Sequence, residues 1–235
     1  MILLHGAPDR SKNFAHVVHQ LSDLPVTVYD RRGYGRSLEA GAQGGGFERH
    51  ADDLLALLDE TPSVVVGQSA GGAAALVAAA RRPELFLALG MWEPPMTPWD
   101  WWPAEMKAQT AAWAGAEDPE ALGEAFNRGL LGDERFDGLS ERTRQLLRAE
   151  GAAFRADMAS QEAPFADLDR LDMPILIGCG TVTGGASFTE VHRASARALG
   201  AELVVLEGAD HSAHTNQPEA WAQFVRATVA LAEGR

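Results

Sequence analysis

The sequence predicts an α/β fold in which a mostly parallel sheet carries helices on both faces. Short, continuously apolar segments alternate along the chain with longer segments whose apolar residues recur at helical spacing. Such alternation is typical of parallel strands joined by crossover helices, which cover both faces of the sheet. With 235 residues, 46% of them hydrophobic, the chain is long enough to form one large domain with a sizeable core.

Six apolar segments have the length and composition of strands that are buried on both faces. They are residues 2–4, 26–29, 64–66, 85–91, 175–177 and 203–206. The third opens the stretch VVVGQSAGGAAALVAAA, residues 64–80, which is apolar or small except at Gln68 and Ser69. This stretch is short for a membrane span and consists largely of Ala and Gly, so we predict a strand, a sharp turn and a helix.

Amphipathic segments between the strands predict the helices. The helix after Ser69 covers residues 72–80 and ends before Arg81-Arg82-Pro83, where basic residues and a proline suit a helix C-terminus. Pro218 is well placed in the first turn of the last helix. The other helical segments are residues 14–21, 47–58, 191–199 and 218–231.

Residues 94–164 break the alternation, because they contain helical segments and no convincing strand. Asp118-Pro119 has the pattern of an N-cap followed by proline at the first helical position. We therefore predict a core formed by residues 1–93 and 165–235, with a helical insertion at 94–164. The helices expected in this insertion cover residues 105–113, 120–130 and 141–157.

Tryptophan is concentrated in and just before this insertion. Two interpretations remain open: Trp92, Trp99 and Trp102 contact an apolar or aromatic substrate, or the tryptophans hold the insertion on the core.

Charge and cysteine content restrict the partners that we expect. Lys and Arg number 20 against 33 Asp and Glu, a net charge of -13 that argues against nucleic acid and anionic membranes. The single cysteine, Cys179, cannot form an internal disulfide and suits a reducing compartment. The N-terminal sequence MILLHGAPDR lacks the pattern of a secretion signal, so we predict a cytoplasmic protein.

The pentapeptide Gly67-Gln68-Ser69-Ala70-Gly71 predicts a nucleophilic serine at a strand-to-helix turn. A serine held in a strained, left-handed type of conformation brings the residues two before and two after it close together, and glycine avoids their collision. The helix that follows points its free N–H groups at the position where an oxyanion would develop. The alternative is a glycine-rich turn around a structural serine.

A serine nucleophile needs a base, and His211 is the best placed of seven histidines. It lies between the last strand and the last helix, so its loop opens on the same edge of the sheet as Ser69. His214 is an alternative base that could instead hold this loop. The remaining histidines on predicted helices are expected at the solvated surface: His16, His19, His50 and His192.

Four motifs, in this order and spacing, resemble those of an α/β-hydrolase-fold serine esterase with a helical cap. They are HGAP at 5–8, YDRRGYGRS at 29–37, VVVGQSAGG at 64–72 and GADHSAHTNQPE at 208–219. The resemblance implies Ser69 as nucleophile and His211 as general base and then acid. It also implies an oxyanion hole formed by the backbone N–H groups of Ala7 and Ala70, with no metal or organic cofactor. His5 and Gly6 would shape the oxyanion loop, and residues 30–37 would form a structural turn.

The chain departs from this family at the triad acid. Most relatives carry an aspartate after the strand that reads PILIGCG here, but this position is Thr183. A threonine could bond an imidazole without stabilising the imidazolium. Glu93, in MWEPP at the end of the neighbouring strand, is the predicted acid, as in haloalkane dehalogenases; in the alternative interpretation it caps the strand or faces water. Asp210 and Glu190 are less suitable acids.

A second departure lies at the start. The family commonly has two antiparallel strands before the HG motif, whereas Ile2 already lies in the strand that carries this motif. Either the sheet is smaller than in the family, or the sequence starts later than the family's does. A smaller sheet would leave residues 26–29 as an edge strand with open backbone groups, so we predict a homodimer or a marginally stable monomer.

Together these observations predict a serine hydrolase that cleaves a small carboxylic ester, with an apolar or aromatic acyl or alcohol part, through an acyl-enzyme. A cofactor-free perhydrolase, a C–C hydrolase or a lyase could use the same Ser69 and His211. A ligand receptor without catalytic activity is the alternative from a different class, and the missing aspartate at Thr183 makes it plausible.

Overall fold

The computed structural model describes residues 1–43, 45–161 and 165–234. Its six strands form one sheet in the order β2-β1-β3-β4-β5-β6, and every strand pair is parallel. The predicted parallel α/β architecture is therefore confirmed. The strands are β1 (Ile2–Leu4), β2 (Thr27–Val28), β3 (Ser63–Gln68), β4 (Phe86–Trp92), β5 (Ile175–Gly180) and β6 (Glu202–Leu206).

The sheet separates two hydrophobic clusters, because successive residues of a strand point to opposite faces. In β3, Val65 packs on one side, while Val64 and Val66 pack on the other. The prediction that all strands are buried on both faces holds for the central strands and is wrong for β2 and β6. These two lie at the edges of the sheet, where half-buried and exposed side chains replace the buried ones.

Helices cover both faces, as predicted. On the face of Val65 lie α2 (Phe47–Leu58), α3 (Ala70–Arg81) and α9 (Gly185–Leu199); on the face of Val64 lie α1 (Ala15–Gln20) and α11 (Pro218–Glu233). Residues 64–80 form parts of β3 and α3. Among the helices of the described residues, none has both the length and the apolar content needed to cross a bilayer.

Among the described residues, five α-helices lie between β4 and β5, where the sequence predicts the insertion. Asp118 caps the helix that begins at Pro119, as predicted, since its carboxylate accepts hydrogen bonds from the N–H groups of Glu120 and Ala121 at 2.9 and 3.0 Å. The helices are α4 (Ala104–Ala114), α5 (Pro119–Leu131), α6 (Asp133–Asp137), α7 (Glu141–Ala149) and α8 (Gly151–Ser160). Residue 164, the predicted end of the insertion, lies outside the described residues.

The single helix predicted for residues 141–157 is wrong, because the chain breaks into α7 and α8 between Ala149 and Gly151. The break lies against α5: a Cβ on Gly151 would be 1.7 Å from the Pro119 carbonyl oxygen. Two short helices, α6 and α10 (Ala213–Asn216), were not predicted. Neither is long enough to show a helical periodicity in the sequence.

Candidate active site

Ser69 lies in a sharp turn between β3 and α3, at the carboxyl edge of the sheet. Its φ of 51° and ψ of -125° are unusual for a residue with a side chain, as the sequence predicts. The Ser69 amide donates to the Trp92 carbonyl oxygen at 2.8 Å, so that the turn is anchored on β4. The residue is partly exposed at this edge.

The glycines around Ser69 are required by close backbone contacts. A Cβ on Gly67 would lie 2.5 Å from the carbonyl carbon of Gly71, and a Cβ on Gly71 would lie 2.5 Å from the His5 carbonyl oxygen. The predicted crowding of the residues two before and two after Ser69 is confirmed. The second contact also shows that the turn packs directly against the HGAP loop.

Gly6 brings that loop beside the serine. A Cβ at this position would lie 3.0 Å from Ser69 Cβ and 2.0 Å from Gln68 Oε1, so only glycine allows this approach. Ala7, the next residue, and Ala70, the first residue of α3, therefore flank Ser69. Their backbone N–H groups are the two that the sequence predicts for the oxyanion hole.

Glu93 follows β4 and bonds to His211. Its side chain is fully buried, and Oε2 accepts a hydrogen bond from His211 Nδ1 at 2.7 Å. Its other oxygen, Oε1, accepts from the Gly180 amide at 2.9 Å. Like Ser69, Glu93 has a positive φ, of 43°, and this kind of backbone strain is concentrated at functional sites. The alternative in which Glu93 faces water is wrong.

Two contacts hold the loop that carries His211 at the carboxyl edge of the sheet, one of them to the residue before Ser69. Gln68 Nε2 donates to the His211 carbonyl oxygen at 3.1 Å. A Cβ on Gly180 would lie 2.0 Å from the Ala209 carbonyl oxygen, so this loop packs tightly on the end of β5. The His211 side chain is 44% exposed. In the part of the chain that the structure describes, no hydrogen bond joins Ser69 Oγ to the His211 ring.

The other acids that the sequence offers have different partners. Asp210 accepts from the Ser212 amide and from Asn216 Nδ2 at 2.8 and 2.9 Å, within its own loop. Glu190 pairs with Arg193. The Thr183 hydroxyl is buried and has no hydrogen-bond partner among the described residues. Of Glu93, Asp210, Glu190 and Thr183, Glu93 is the residue whose side chain bonds to the His211 ring.

Residues 1–224 match the family described as the Alpha/beta hydrolase family. The chain belongs to this family. Over 140 residues it is 31% identical to Lipase LipV of Mycobacterium tuberculosis, and this match covers 51% of the chain and 53% of LipV. Over 89 residues it is 37% identical to YraK, an uncharacterized hydrolase of Bacillus subtilis, covering 36% of the chain and 33% of YraK. The chain thus spans about half and a third of these two relatives.

The structure is also similar to that of a thermophilic esterase from Thermogutta terrifontis. The TM-score is 0.73 at 24% sequence identity, and the match covers 98% of the chain and 89% of the esterase. At this identity the likeness shows the fold. It agrees with the alpha/beta hydrolase family and with the parallel sheet described above.

A cavity of about 610 Å³ opens beside His211 in this alpha/beta hydrolase. Its lining includes Ala7, Gln68 and His211, together with a wall formed by residues of α5, α6 and α7 and the turns that join them. That wall contributes apolar side chains, among them Phe126, Leu130, Leu131, Leu139 and Leu147. The cavity therefore places an apolar surface next to the carboxyl edge of the sheet.

The three tryptophans predicted to bind substrate are not among the described lining residues of this cavity. Trp92 is fully buried and packs on Phe224, on the face of the sheet that α1 and α11 cover, so the prediction for Trp92 is wrong. Trp102 packs on Phe188, and Trp99 contacts Phe165. These contacts favour the interpretation in which the tryptophans hold the insertion on the core.

The histidines divide into two groups that the sequence did not separate. His16 and His19 are exposed, as predicted, but His50 and His192 are buried, which contradicts the prediction. His192 packs between the rings of Trp102 and Phe188, and burial lowers its pKa to about 3. The prediction is wrong because the polarity of histidine does not reveal which helix face packs on a neighbour.

His214 and His5 have structural partners. His214 Nε2 bonds to Asp9 Oδ2 at 2.8 Å and ties the His211 loop to the HGAP loop, the alternative role considered for it. His5 is buried, and burial and the nearby Arg31 lower its pKa to about 3. The predicted turn at 30–37 is held by Asp30, which accepts from the amides of Ser11 and Arg36 at 2.8 Å.

The sequence did not predict three residues close to this site: Gln68, Arg31 and Asp157. Gln68 stands beside the serine in the motif, and its position was the available signal. Arg31 pairs with Asp157, which lies 126 residues further along the chain, with N–O distances of 3.0 Å. Nothing in the local sequence indicates this pair, because its partners meet only when the insertion packs on the core.

Proposed function

We propose that this alpha/beta hydrolase cleaves carboxylic esters through an acyl-enzyme on Ser69. The observation that carries the proposal is the buried Glu93 carboxylate bonded to His211, on a loop tied to the residue before Ser69. A serine nucleophile, an imidazole that takes its proton and a carboxylate that orients the imidazole form the machinery of acyl transfer. The names of two relatives, a lipase and an esterase, agree with this chemistry.

In the first step His211 takes the proton of Ser69. Since Nδ1 donates to Glu93, the lone pair of the neutral ring lies on Nε2, the nitrogen available to the serine hydroxyl. The oxygen of Ser69 attacks the ester carbonyl, and the negative charge of Glu93 stabilises the imidazolium that forms. The missing aspartate at Thr183 is thereby compensated from the neighbouring strand.

The tetrahedral oxyanion would be bound by the N–H groups of Ala7 and Ala70, with the N-terminus of α3 adding its positive dipole end. His211 then gives its proton to the leaving alcohol, and the acyl-enzyme remains on Ser69. Water activated by His211 releases the acid and restores the serine. Each step uses side chains and backbone groups of this chain.

The apolar wall of the cavity supports small esters with an apolar acyl or alcohol part as substrates. Phe126, Leu130 and Leu147 supply such a surface near His211. In this proposal the apolar wall makes the substrate contact that was one of the two interpretations of the tryptophans.

The test is hydrolysis of p-nitrophenyl acetate, butyrate and octanoate by the wild-type protein and the Ser69→Ala variant. We expect the wild type to release nitrophenol catalytically and Ser69→Ala to lose this activity, while Ser187→Ala, at an exposed serine, retains it. Full activity in Ser69→Ala would overturn the proposal. A wild type that turns over no ester but binds these compounds tightly would favour a receptor.

A further inference from the structure

A buried polar cluster lies directly behind the HGAP loop. Its centre is Arg31, whose side chain is fully buried. The guanidinium donates from Nε to the His5 carbonyl oxygen at 2.8 Å and from Nη2 to the Gly6 carbonyl oxygen at 2.7 Å. Burying a guanidinium is costly unless its donors are satisfied, so these contacts and those below hold Arg31 in one orientation.

Asp157, on α8 of the insertion, holds the other side of Arg31. Its Oδ2 accepts from Nη1 and Nη2 of Arg31, both at 3.0 Å, and from the Tyr34 hydroxyl at 2.8 Å. Its Oδ1 bonds to His50 Nε2 at 2.7 Å. Four hydrogen bonds are close to the number that a carboxylate accepts. The orientation of Arg31 therefore depends on a residue of the insertion.

The contact with Gly6 bears on the oxyanion hole through peptide geometry. The Gly6 carbonyl and the Ala7 N–H belong to one planar peptide group, so holding the carbonyl fixes the direction of the N–H. This carbonyl accepts from Arg31 and also from His5 Nδ1, at 2.8 Å. His5 Nε2 accepts from the Arg31 amide at 2.8 Å, which makes Nδ1 the protonated nitrogen.

Hydrogen bonds to a carbonyl also polarise its peptide group and strengthen the N–H at the other end as a donor. The Gly6–Ala7 peptide receives two such bonds, one of them from a buried cation. Both the direction and the strength of the Ala7 donor therefore depend on Arg31.

We propose that Arg31, held by Asp157 of the insertion, is a positioning residue that sets the Ala7 N–H for binding the oxyanion. This inference rests on the proposed function, in which Ala7 supplies one of the two oxyanion donors. It assigns the insertion a role in catalysis besides covering the site, since α8 supplies the carboxylate that orients Arg31.

The test compares Arg31→Lys and Asp157→Asn with the wild type in ester hydrolysis. Lysine keeps the charge, but a single ammonium group cannot bond both carbonyls and the carboxylate. We expect kcat to fall at least about 10-fold in Arg31→Lys, with KM within about twofold, since the oxyanion forms only after substrate has bound. The affinity for an aryl boronic acid, which mimics the tetrahedral intermediate, should fall by a similar factor.

Asp53→Asn is the matched control, because it breaks the neighbouring Arg32–Asp53 pair, 2.6 Å apart, which does not contact Gly6. Its kcat should stay within about twofold of the wild type. If Arg31→Lys does not fold, the same measurements on Asp157→Asn test the inference, because asparagine has nearly the same shape as aspartate. An unchanged kcat and boronic acid affinity in either folded variant would overturn the inference.

A measurement independent of activity separates this inference from the proposed function. In NMR spectra of labelled protein, the Gly6 carbonyl ¹³C and Ala7 amide ¹⁵N resonances should move in Arg31→Lys and stay in place in Asp53→Asn. Unmoved resonances in folded Arg31→Lys overturn the inference even if the wild type is active. If the wild type cleaves no ester but these resonances move in Arg31→Lys, the positioning contact is supported. The absence of ester cleavage then overturns only the proposed function.

Discussion

Ser69 and Glu93 end two neighbouring strands with backbone conformations that side chains rarely adopt. Their φ values of 51° and 43° place the hydroxyl at the sheet edge and the carboxylate in the interior below His211. The sequence predicted both residues, since G-x-S-x-G carries a steric signature and Glu93 stands at the family's second acid position. It left open whether Glu93 supports the base or only ends its strand, because that choice depends on whether the side chain reaches the ring.

Glu93→Gln should lower kcat by about 10⁴-fold, because the amide neither fixes the required tautomer of His211 nor stabilises its charged form. Thr183→Ala is the control, as this hydroxyl has no hydrogen-bond partner among the described residues. We expect its rate to stay within about twofold of the wild type. Steady-state hydrolysis of a nitrophenyl ester measures both. A full rate in Glu93→Gln would show that another group supports His211.

At the scale of single elements, the turn between β3 and α3 determines where the chemistry lies. Its glycines were predicted from sterics. Most helix and strand positions were predicted from apolar runs and from helical periodicity. Two features were not predicted. The helices α6 and α10 are too short to show helical periodicity in the sequence, and the break between α7 and α8 was not expected. That break follows from the packing of Gly151 on α5, a contact that local sequence does not reveal.

Gly71→Ala and Gly129→Ala make the same change in two helices, with opposite expected results. At Gly71 the new Cβ meets the carbonyl oxygens of His5 and Leu4 at 2.5 and 2.7 Å, so the turn must move. We expect loss of at least 10-fold in kcat and a lower free energy of unfolding.

Gly129, in α5, has open space around it, and alanine should stabilise the protein by about 0.5–1 kcal/mol with unchanged activity. Denaturant unfolding and ester hydrolysis measure both variants. Equal changes in kcat and in the free energy of unfolding for Gly71→Ala and Gly129→Ala would contradict the steric account of the turn.

For the whole molecule, the sequence predicted the parallel sheet and the position of the helical segments between β4 and β5. It predicted the wrong surroundings for His50 and His192, because whether a helical residue is buried depends on the packing of other elements. The Arg31–Asp157 pair was not predicted for the same reason, because its two residues meet only when the elements pack together. Division into a core of 1–93 and 165–235 and a cap of 94–164 remains our proposal, supported by the five α-helices in the described part of that segment.

Buried neutral histidines should make the protein sensitive to acid. The pKa of His192 falls from its ordinary 6.5 to about 3 in the folded protein, so between these values the unfolded chain binds a proton that the folded protein does not. Stability from this group is complete above pH 6.5 and is lost as the pH falls. His5, with a pKa of about 3, acts in the same direction.

His192→Phe should therefore reduce the slope of unfolding free energy against pH, between about pH 4 and 6, by about 1.4 kcal/mol per pH unit. Denaturant unfolding at several pH values measures this slope. His19→Gln changes an exposed histidine and should leave it unaltered. An identical slope in His192→Phe would mean that the buried ring does not control acid unfolding.

The edge strand β2 bears on the assembly of the molecule. It lies at one end of the sheet, as predicted, but it is two residues long and not the four residues 26–29. An open edge favours pairing with a second copy, and we propose a homodimer or a marginally stable monomer. Size-exclusion chromatography with light scattering should give about twice the chain mass of 25.1 kDa. A stable monomer of that mass would exclude the dimer.

The most direct test of the central claim is to treat the protein with a fluorophosphonate ester and locate the adduct by mass spectrometry of the intact chain and its peptides. The account predicts one phosphonyl group on Ser69, formed rapidly in the wild type, absent in Ser69→Ala and formed far more slowly in Glu93→Gln. An adduct on another residue, or an unreactive Ser69 in folded wild-type protein, would contradict it.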